Sequence, residues 1–563
     1  MNKTNYIPRF CLYIFINRLH RMMFLLRSVN NFGSNSMATA SIPLIRRFVH
    51  LKNGSDWTLT NPETRDKQEK VKTFEEMPTR NSNLLQTFFD LIYIKRKGFF
   101  SRTDLLVQEN VEKYGPIMRN LLGNEFIVEI VDPKLVEKVF RAEGKYPERF
   151  EMKPWKDYRL TRNIPLGLFL QGTPGRIGPL ETASDGKAWH RSRQAINKRI
   201  MKPVEITQYI PAMKSVTDDT IARLRRIQIK EGDKKDLIPD LEGELFKWSM
   251  EGVTKVLLDH RLGLLSDKID KQSQSFIDAI QEVFRTTFEL LLFTNLHKRF
   301  NTKLWQRHVA GWDTIIIVTK NLIEHRVEKL MSAKEKGLEV KEDTFLWALI
   351  SNSDLTQDEI FGNLSELIGA AIDTTSYTLI WTLYLLAHNP EAQEKLRTEI
   401  CDSIPVGKQL TQDDLAKLVY MRMVIKESLR MKPVVSGLTR KLDRDIVLGG
   451  YHIPAKTTIG VQFYPMLKDP HYFEDPSQFR PERWDRTKKN DSKGVNAFAS
   501  IPFGFGTRMC VGRRFAEQEM YIFLAEIIRQ FNIIPTKTVG ITTDLLVIPD
   551  EPVDLKFKDS KMN

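Results

Sequence analysis

The stretch Phe503-Gly504-Phe505-Gly506-Thr507-Arg508-Met509-Cys510-Val511-Gly512 places one cysteine among three glycines near the end of a 563-residue chain. Glycines allow tight backbone conformations that other residues resist. From Arg513 to Arg529 apolar residues recur at helical spacing, which predicts a helix directly after this loop. The sequence therefore predicts a cysteine held in a glycine-rich loop at the beginning of a helix.

Cys510 is predicted to be present as a thiolate. Backbone amides and the positive end of a helix stabilise a negatively charged sulfur. A thiolate fixed in this way is a strong ligand for heme iron and favours O–O cleavage. The alternative is an ordinary buried cysteine, as most single cysteines are. The spacing F-x-x-G-x-R-x-C-x-G favours the ligand.

The stretch 503–516, which includes Ala516, resembles the heme-binding signature of the cytochrome P450 family. This resemblance implies heme b as the cofactor, with Cys510 as the axial iron ligand. It also implies that Arg508 binds a heme propionate and that Phe503 shields the sulfur. The implied fold is mainly α with small β-sheets, in a single large heme domain.

The periodicity of the chain agrees with a large and mainly helical domain. Apolar residues at three- and four-residue spacing predict helices around 206–228, 243–258, 306–335, 358–388, 391–403 and 413–431. Short strands are predicted at Ile127 to Val131, Ile446 to Leu448 and Thr458 to Val461. No linker-like stretch divides residues 90–555, so we expect one domain there, although the length alone would suggest two.

Glu427 and Arg430 lie three residues apart and so share a helix face. Such a pair is common on protein surfaces, where it contributes well under about 1 kcal/mol. Followed by Arg483 in Phe479-Arg480-Pro481-Glu482-Arg483-Trp484, the pair resembles the E-x-x-R motif and the later arginine of the family. The resemblance implies that Glu427, Arg430 and Arg483 form a buried charge network.

The stretch 369–376 (Gly-Ala-Ala-Ile-Asp-Thr-Thr-Ser) lies inside a long predicted helix that ends at Asn389-Pro390. Such polar side chains are unfavourable in a helix interior, and the simplest alternative is a bend with a satisfied hydroxyl. The stretch resembles the distal helix of the family, where Thr374 would hold dioxygen and a water molecule and Asp373 would relay protons. The family usually has Gly where this chain has Ala371.

Three further residues are candidates for the propionates. Trp189 and Arg193 form a W-x-x-x-R pair one helical turn apart, which could equally belong to an ordinary surface helix. The pair resembles the family's propionate-binding helix, and Arg440 resembles the other propionate arginine. Anionic propionates in a poorly solvated site require several cations.

The N-terminal residues 1–55 contain eight Lys and Arg residues and no acid before Asp56. An Arg-rich, acid-free leader predicts a mitochondrial transit peptide of uncertain cleavage site. A membrane anchor and a basic tail are the alternatives, but an anchor needs about 20 mostly apolar residues, and cations interrupt every run here. Residues 56 to about 85 are interpreted as a linker into the heme-thiolate monooxygenase domain, which is assigned to 56–563.

Basic residues near the cysteine suggest how electrons arrive. Arg513 and Arg514 follow the ligand loop, and Arg422 and Lys426 lie on the helix that carries Glu427. Mitochondrial members of the family are similar at both places and receive electrons from an acidic ferredoxin of the adrenodoxin type and its NADPH-dependent reductase. Basic pairs are frequent in a chain with 85 Lys and Arg residues, so an ordinary solvated surface is the alternative.

The predicted function is insertion of one oxygen atom from O2 into a lipophilic small molecule: a steroid, fatty acid or xenobiotic. Val434, Val435, Ser436 and the loop 160–180 are predicted to line the pocket. The expected location is the matrix face of the mitochondrial inner membrane, with peripheral membrane contact and no nucleic-acid partner. Alternatives are a microsomal enzyme that uses a diflavin reductase, a non-oxygenating isomerase, and a heme-thiolate sensor.

Overall fold

A computed structural model describes residues 70–560 except 123–124, 172–185, 269–270, 338–343, 353, 406, 408–409, 488–495 and 544. The predicted transit peptide lies outside the described residues. The helices are α1 (Leu84–Arg96), α2 (Thr103–Tyr114), α3 (Pro133–Arg141), α4 (Lys153–Thr161), α5 (Gly186–Ile200), α6 (Pro203–Thr207), α7 (Ile210–Ile227), α8 (Leu241–Leu258), α9 (Lys271–Arg299), α10 (Lys303–Glu335), α11 (Phe345–Ile350), α12 (Gln357–Ala387), α13 (Pro390–Ser403), α14 (Gln412–Lys417), α15 (Val419–Met431), α16 (Phe463–Lys468) and α17 (Arg513–Gln530).

The strands are short. They are β1 (Ile117–Leu122), β2 (Glu125–Ile130), β3 (Gly437–Lys441), β4 (Ile446–Leu448), β5 (Tyr451–Ile453), β6 (Thr458–Gln462), β7 (Phe531–Pro535), β8 (Ile541–Thr543), β9 (Val547–Pro549) and β10 (Leu555–Asp559). One sheet has the strand order β1-β2-β6-β3, and β4–β5, β7–β10 and β8–β9 form two-stranded sheets. In the larger sheet β2 runs parallel to β6, and β3 runs antiparallel to it. The predicted mainly helical fold with small sheets is confirmed.

The longest helix relevant to the site, α12, has well-defined ends. Thr356 caps its first turn in a reciprocal capping box with Glu359, which satisfies backbone N–H groups that a helix start leaves free. The helix ends at Ala387, and Pro390 begins α13. The predicted stop at Asn389-Pro390 is therefore confirmed, because proline is tolerated at a first helical turn but not in a helix interior.

Two sequence interpretations need correction. The predicted helix 413–431 is two helices, since the backbone at Leu418 is non-helical (φ −74°, ψ 74°). The carboxylate of Glu399 accepts the first N–H groups of α15, from Tyr420 at 2.5 Å and Met421 at 2.9 Å. The predicted linker, 56 to about 85, extends too far toward the C-terminus. Met77 lies within it but is buried in the core, with 2% of its surface exposed.

The main hydrophobic core holds α12 and α17, which are the predicted distal helix and the helix after the cysteine loop, respectively. Trp248 of α8 packs on Phe523 of α17 with ring centroids 4.6 Å apart, and Trp381 of α12 is fully buried in the same cluster. A second cluster, which includes Val128 and Ile459, lies around the four-stranded sheet. Among the described residues, no helix is both long and apolar enough to cross a bilayer.

Candidate active site

The ligand loop is closed by its own backbone. The N–H of Cys510 donates to the carbonyl of Phe503 at 2.8 Å. Gly504 and Gly506 have φ values of +71° and +78°, a region that favours glycine over other residues. Gly512 instead has a φ of −84° and precedes the first residue of α17. Two of the three glycines therefore have the predicted backbone role, and the predicted helix after the loop is confirmed.

The Cys510 side chain is exposed although protein surrounds it closely enough to change its ionisation. Burial raises the pKa of the thiol, while the backbone N–H of Gly512 and the positive charge of Arg193 act in the opposite direction. The Cys510 sulfur is surrounded by protein but open on one side. A metal-containing cofactor could therefore bind next to the sulfur. The loop alone does not lower the pKa, and coordination to a metal is what deprotonates such a thiol.

Arginines are gathered around this site. Arg193, Arg440 and Arg508 are buried, and Arg149 is half-buried beside them. Burial and the neighbouring cations, Arg149 first, lower the pKa of Arg508 to about 8. Burial likewise lowers the pKa of Arg193 to about 10. Like charges held together away from water are unfavourable unless an anion accompanies them.

The carboxylates that interact with these arginines are fewer than the arginines. Glu143 forms an ion pair with Arg440, and Glu366 acts electrostatically on Arg149 but also faces Arg159. The Nε of Arg193 is buried without a hydrogen-bond partner among the described residues. The residues therefore fit a cofactor that carries two carboxylates, as heme b does.

Trp189 completes this wall of the site. Its side chain is 1% exposed, and the guanidinium carbon of Arg508 lies 4.1 Å from its ring centroid. Such stacking holds a planar guanidinium in one orientation. The structure thus brings together the predicted Trp189, Arg193, Arg440 and Arg508. It adds Arg149, which lies in an irregular segment whose sequence gave no signal.

On α12, Asp373 is 2% exposed, and its Oδ1 has no hydrogen-bond partner among the described residues. Burial first, and then the negative charge of Glu242, raise the pKa of Asp373 to about 8. The hydroxyl of Tyr377, one turn further along, donates to Glu242 at 2.6 Å. The hydroxyl of Thr374 donates to the carbonyl of Ala370 at 2.9 Å, and the helix continues through this stretch.

The predicted charge network is present. Arg430 donates to both oxygens of Glu427, at 3.0 and 2.8 Å, and Arg483 donates to one of them at 2.8 Å. The indole N–H of Trp484 donates to the other at 2.9 Å. Glu427 and Arg430 are 0% and 1% exposed. Trp484 was not predicted, although it directly follows Arg483 in the motif that identified the network.

The predicted basic residues lie together near the ligand loop. Lys426 and Arg514 are exposed, whereas Arg422 donates to the carbonyl of Ala416 and Arg513 pairs with Glu517. Burial, followed by the charges of Arg486, Arg513 and Arg422, lowers the pKa of Lys426. The structure adds Arg486 to this group. A groove of about 210 Å³ between Arg422 and Arg514 is also lined by Tyr521.

The predicted pocket residues Val434, Val435 and Ser436 lie between the end of α15 and the beginning of β3. Val434 is buried, Val435 packs against the main core, and the carbonyl of Ser436 accepts a hydrogen bond from Phe463. The loop predicted at 160–180 is described only to Gln171, and residues 172–180 lie outside the described residues.

A mainly helical domain with a cysteine in a glycine-rich loop, a cluster of buried arginines and an acid–alcohol pair on a long helix is typical of heme-thiolate enzymes. The cytochrome P450 family profile matches residues 88–557. The chain belongs to this family, binds heme and is a monooxygenase.

Several similar proteins are named as mitochondrial enzymes. The rat (Rattus norvegicus) mitochondrial 1,25-dihydroxyvitamin D(3) 24-hydroxylase is 34% identical over 551 residues, 97% of this chain and 98% of that protein. The human (Homo sapiens) mitochondrial cholesterol side-chain cleavage enzyme is 33% identical over 86% of this chain and 89% of its own length. The rabbit (Oryctolagus cuniculus) mitochondrial sterol 26-hydroxylase is 32% identical over 86% and 88% of the two chains.

Proposed function

We propose that this monooxygenase works at the matrix face of the mitochondrial inner membrane, where a ferredoxin of the adrenodoxin type and its NADPH-dependent reductase supply its electrons. The observation that carries the proposal is the likeness to a mitochondrial hydroxylase over 97% of the chain. The acid-free basic leader, residues 1–55, is independent support, because such a composition is typical of transit peptides.

Cys510 would hold the heme iron, and Phe503 would shield its sulfur. Arg193, Arg440 and Arg508, together with the half-buried Arg149, would bind the two propionates through charge-assisted hydrogen bonds. Bound heme supplies the iron chemistry that cleaves dioxygen. The excess of guanidinium groups over carboxylates among the described residues supports this assignment.

The proposed role of Asp373 is to hold and pass on a proton. A carboxyl whose pKa is raised to about 8 is protonated at neutral pH and can donate where an ionised one cannot. The Thr374 hydroxyl, on the next residue, would position dioxygen and a water molecule. Glu242, which is only partly buried and accepts the Tyr377 hydroxyl, acts on this carboxyl electrostatically and would relay protons between it and the surface.

The electron donor would dock on the basic group of Arg422, Lys426, Arg513 and Arg514. Lys426 and Arg514 are exposed and can meet acidic side chains. Arg513 lies 5.5 Å from the ring centroid of Phe503, whose carbonyl accepts the Cys510 N–H. A basic surface attracts an acidic protein and makes the association dependent on salt. A donor bound there would lie on the cysteine side of the cofactor.

We propose a steroid or sterol-like lipid as the substrate class. The relatives are a vitamin D hydroxylase, a cholesterol side-chain cleavage enzyme and a sterol hydroxylase. The apolar side chains of Val434 and Val435 suit such a substrate, and also suit a fatty acid or xenobiotic. These two classes therefore belong in the same substrate panel as competing outcomes.

Peripheral membrane contact would deliver such a substrate. Leu85 and Phe89 are 66% and 61% exposed and lie four residues apart, so they share one face of α1. The same helix ends with Lys95 and Arg96. Exposed apolar residues followed by cations fit an element that lies on an anionic membrane surface.

The test is the carbon monoxide difference spectrum of the protein lacking residues 1–55, reduced either by ferredoxin with its reductase or by a diflavin reductase. A red-shifted Soret band with the ferredoxin system alone is the expected result. The same band with the diflavin enzyme alone would assign the protein to the microsomal class. Turnover of the lipid panel with the donor that works then identifies the substrate class.

The docking surface has its own control. Lys426→Ala is expected to weaken the apparent affinity for ferredoxin about threefold to tenfold at low salt, with less effect at high salt, because a screened charge contributes less. Lys320→Ala removes another exposed lysine, on α10, and should leave the affinity unchanged. Equal effects of the two variants, or no effect of salt, would contradict this docking site.

A further inference from the structure

Residues 164–171, here called the wall loop, offer their backbone N–H groups to α12. The N–H groups of Gly167, Phe169 and Leu170 all donate to the carboxylate of Glu366, at 2.8, 2.6 and 3.2 Å. The N–H of Leu168 donates to the Oδ1 of Asn363 at 2.7 Å. Four successive backbone donors of an irregular segment are thus received by two side chains of one helix.

Close backbone contact holds the wall loop against the same helix. A Cβ added to Gly167 would lie 2.2 Å from the carbonyl oxygen of Gly362, and one added to Gly362 would lie 2.9 Å from that of Leu166. Side chains do not fit at either position without moving the backbone. The loop therefore lies on α12 in one register, which places its N–H groups on Glu366 and Asn363.

The other side of the wall loop is bound to the arginine cluster. Arg149 donates to the carbonyl of Phe169 at 2.9 Å, and Arg508 donates to that of Gln171 at 3.1 Å. Arg149 also lies over the Phe169 ring, 4.6 Å from its centroid. The loop thus connects α12 to two of the arginines proposed to bind the propionates.

A negative charge on Glu366 suits its surroundings, because three backbone N–H groups and Arg159 face its carboxylate. Its side chain is 8% exposed, so burial raises its pKa, while Arg159 and the three backbone N–H groups favour the ionised form. Arg159 in turn donates to the carbonyl of Pro165 at 2.7 Å and to the Ser365 hydroxyl at 3.1 Å. An ionised carboxylate accepts only, and hydrogen bonds to it are stronger than those to a neutral amide.

We propose that Glu366 and Asn363 are positioning residues that fix the wall loop as one wall of the substrate pocket and thereby decide which ligands fit above the heme. Glu366 precedes Thr374 by eight residues on α12, about 12 Å along the helix axis. This inference rests on the proposed function only for the identity of the substrate. The position of the wall can be tested without turnover.

The test uses Glu366→Gln and two azole ligands of the ferric heme protein: imidazole, and an azole with a large apolar substituent. The glutamine amide has the same size as the carboxylate, but its NH2 group cannot accept hydrogen bonds. Some of the bonds from the N–H groups of Gly167, Phe169 and Leu170 are therefore lost. We expect the dissociation constant of the large azole, read from the shift of the Soret band, to rise about tenfold or more. That of imidazole should change less than about twofold, because a small ligand does not reach the wall.

Further variants distinguish the loss of contacts to the wall loop from a general change in the structure around α12. Asn363→Ala removes the acceptor of the Leu168 N–H and should show the same selectivity for the large azole, with a smaller effect. Ser192→Ala removes only the hydroxyl that receives the Asn363 amide, at 3.2 Å, and Asp358→Asn makes the same charge change at an exposed site of α12. Both should leave the two dissociation constants unchanged.

Unchanged binding of the large azole by both Glu366→Gln and Asn363→Ala would overturn the inference. Equal weakening of the two azoles would also overturn it, because it would indicate a general effect on the heme. An intact red-shifted Soret band of the reduced carbon monoxide complex shows that each variant retains the cofactor. Failure of ferredoxin to reduce the wild-type protein would contradict the proposed function, but it would leave the azole result to decide this inference.

Discussion

The Cys510 side of the site and the side formed by α12 are held together in different ways. On the Cys510 side, one backbone bond between Phe503 and Cys510 closes the ligand loop, and the Glu427 network extends no further than Trp484, 57 residues away, although Arg508 also bonds to Gln171, 337 positions away. On the α12 side, Tyr377 bonds to a residue 135 positions away, and Glu366 to a backbone 199 positions away. The ligand loop and the Glu427 network are therefore specified by local motifs, whereas the α12 side, like the arginine cluster, is specified by tertiary contacts.

Replacing Cys510, the proposed iron ligand, is expected to have the largest effect on the Cys510 side. Cys510→Ser is expected to abolish the red-shifted Soret band of the reduced carbon monoxide complex, because an alcohol does not supply the electron density of a thiolate. Cys401→Ser is the control, since Cys401 is an exposed cysteine of α13. A normal band in Cys510→Ser would exclude Cys510 as the ligand.

The next effect concerns the stability of the same side. Glu427→Ala leaves Arg430 and Arg483 buried without their common acceptor and is expected to lower the free energy of unfolding by about 3–5 kcal/mol. Urea unfolding of the heme-loaded protein measures it. Glu474→Ala, which removes an exposed partner of Arg480, should leave the midpoint close to wild type. Equal midpoints for the two variants would mean that the network does not stabilise the fold.

The same contrast explains what the sequence could predict. The glycine-rich loop around Cys510 and the helix face shared by Glu427 and Arg430 were predicted from spacing, because neighbours in the chain remain neighbours in the fold. The strands predicted at 127–131, 446–448 and 458–461 agree with β2, β4 and β6 for the same reason. The roles of Arg508 and of the Glu427 network were implied by the resemblance to the family.

Trp189 and Arg440, which have distant partners, were named only through the resemblance to the family, and other residues with distant partners were not identified. Glu242 and Glu366 are ordinary acids in helical sequence, and the roles proposed for them depend on the packing of α8 and the wall loop against α12. Arg149 joins Arg193, Arg440 and Arg508 through tertiary packing alone. The break at Leu418 was missed because the carboxylate that caps α15 comes from Glu399, on a different helix.

On the α12 side, Thr374→Ala tests the chemistry rather than the fold. Loss of the hydroxyl is expected to lower the product formed per NADPH consumed by about tenfold, because protons and water are no longer positioned. Thr374→Ser keeps the hydroxyl and should retain most of the coupling. The ratio of product to NADPH, with peroxide measured alongside, gives the result, and unchanged coupling in the alanine variant would remove Thr374 from the mechanism.

The smallest expected effect is a shift in pH dependence caused by a long-range partner. The groups that act on Asp373 are Glu242 on α8, Arg285 on α9 and Tyr377 on α12. Glu242→Gln removes a negative charge that raises the pKa of Asp373, while its amide oxygen can still accept the Tyr377 hydroxyl. The pKa of Asp373 should then fall below about 8.

A proton-donating carboxyl loses its function as the pH rises through its pKa. The alkaline limb of the rate profile should therefore move to lower pH in Glu242→Gln. The same raised pKa means that folded Asp373 binds a proton that the unfolded chain releases above about pH 4, so this group's contribution to stability falls as the pH rises from about 4 to about 8. Glu391→Gln makes the same charge change at an exposed site of α13 and should leave the rate profile in place. An alkaline limb that stays fixed, or moves upward, in Glu242→Gln would show that the charge on α8 does not reach the proton donor on α12.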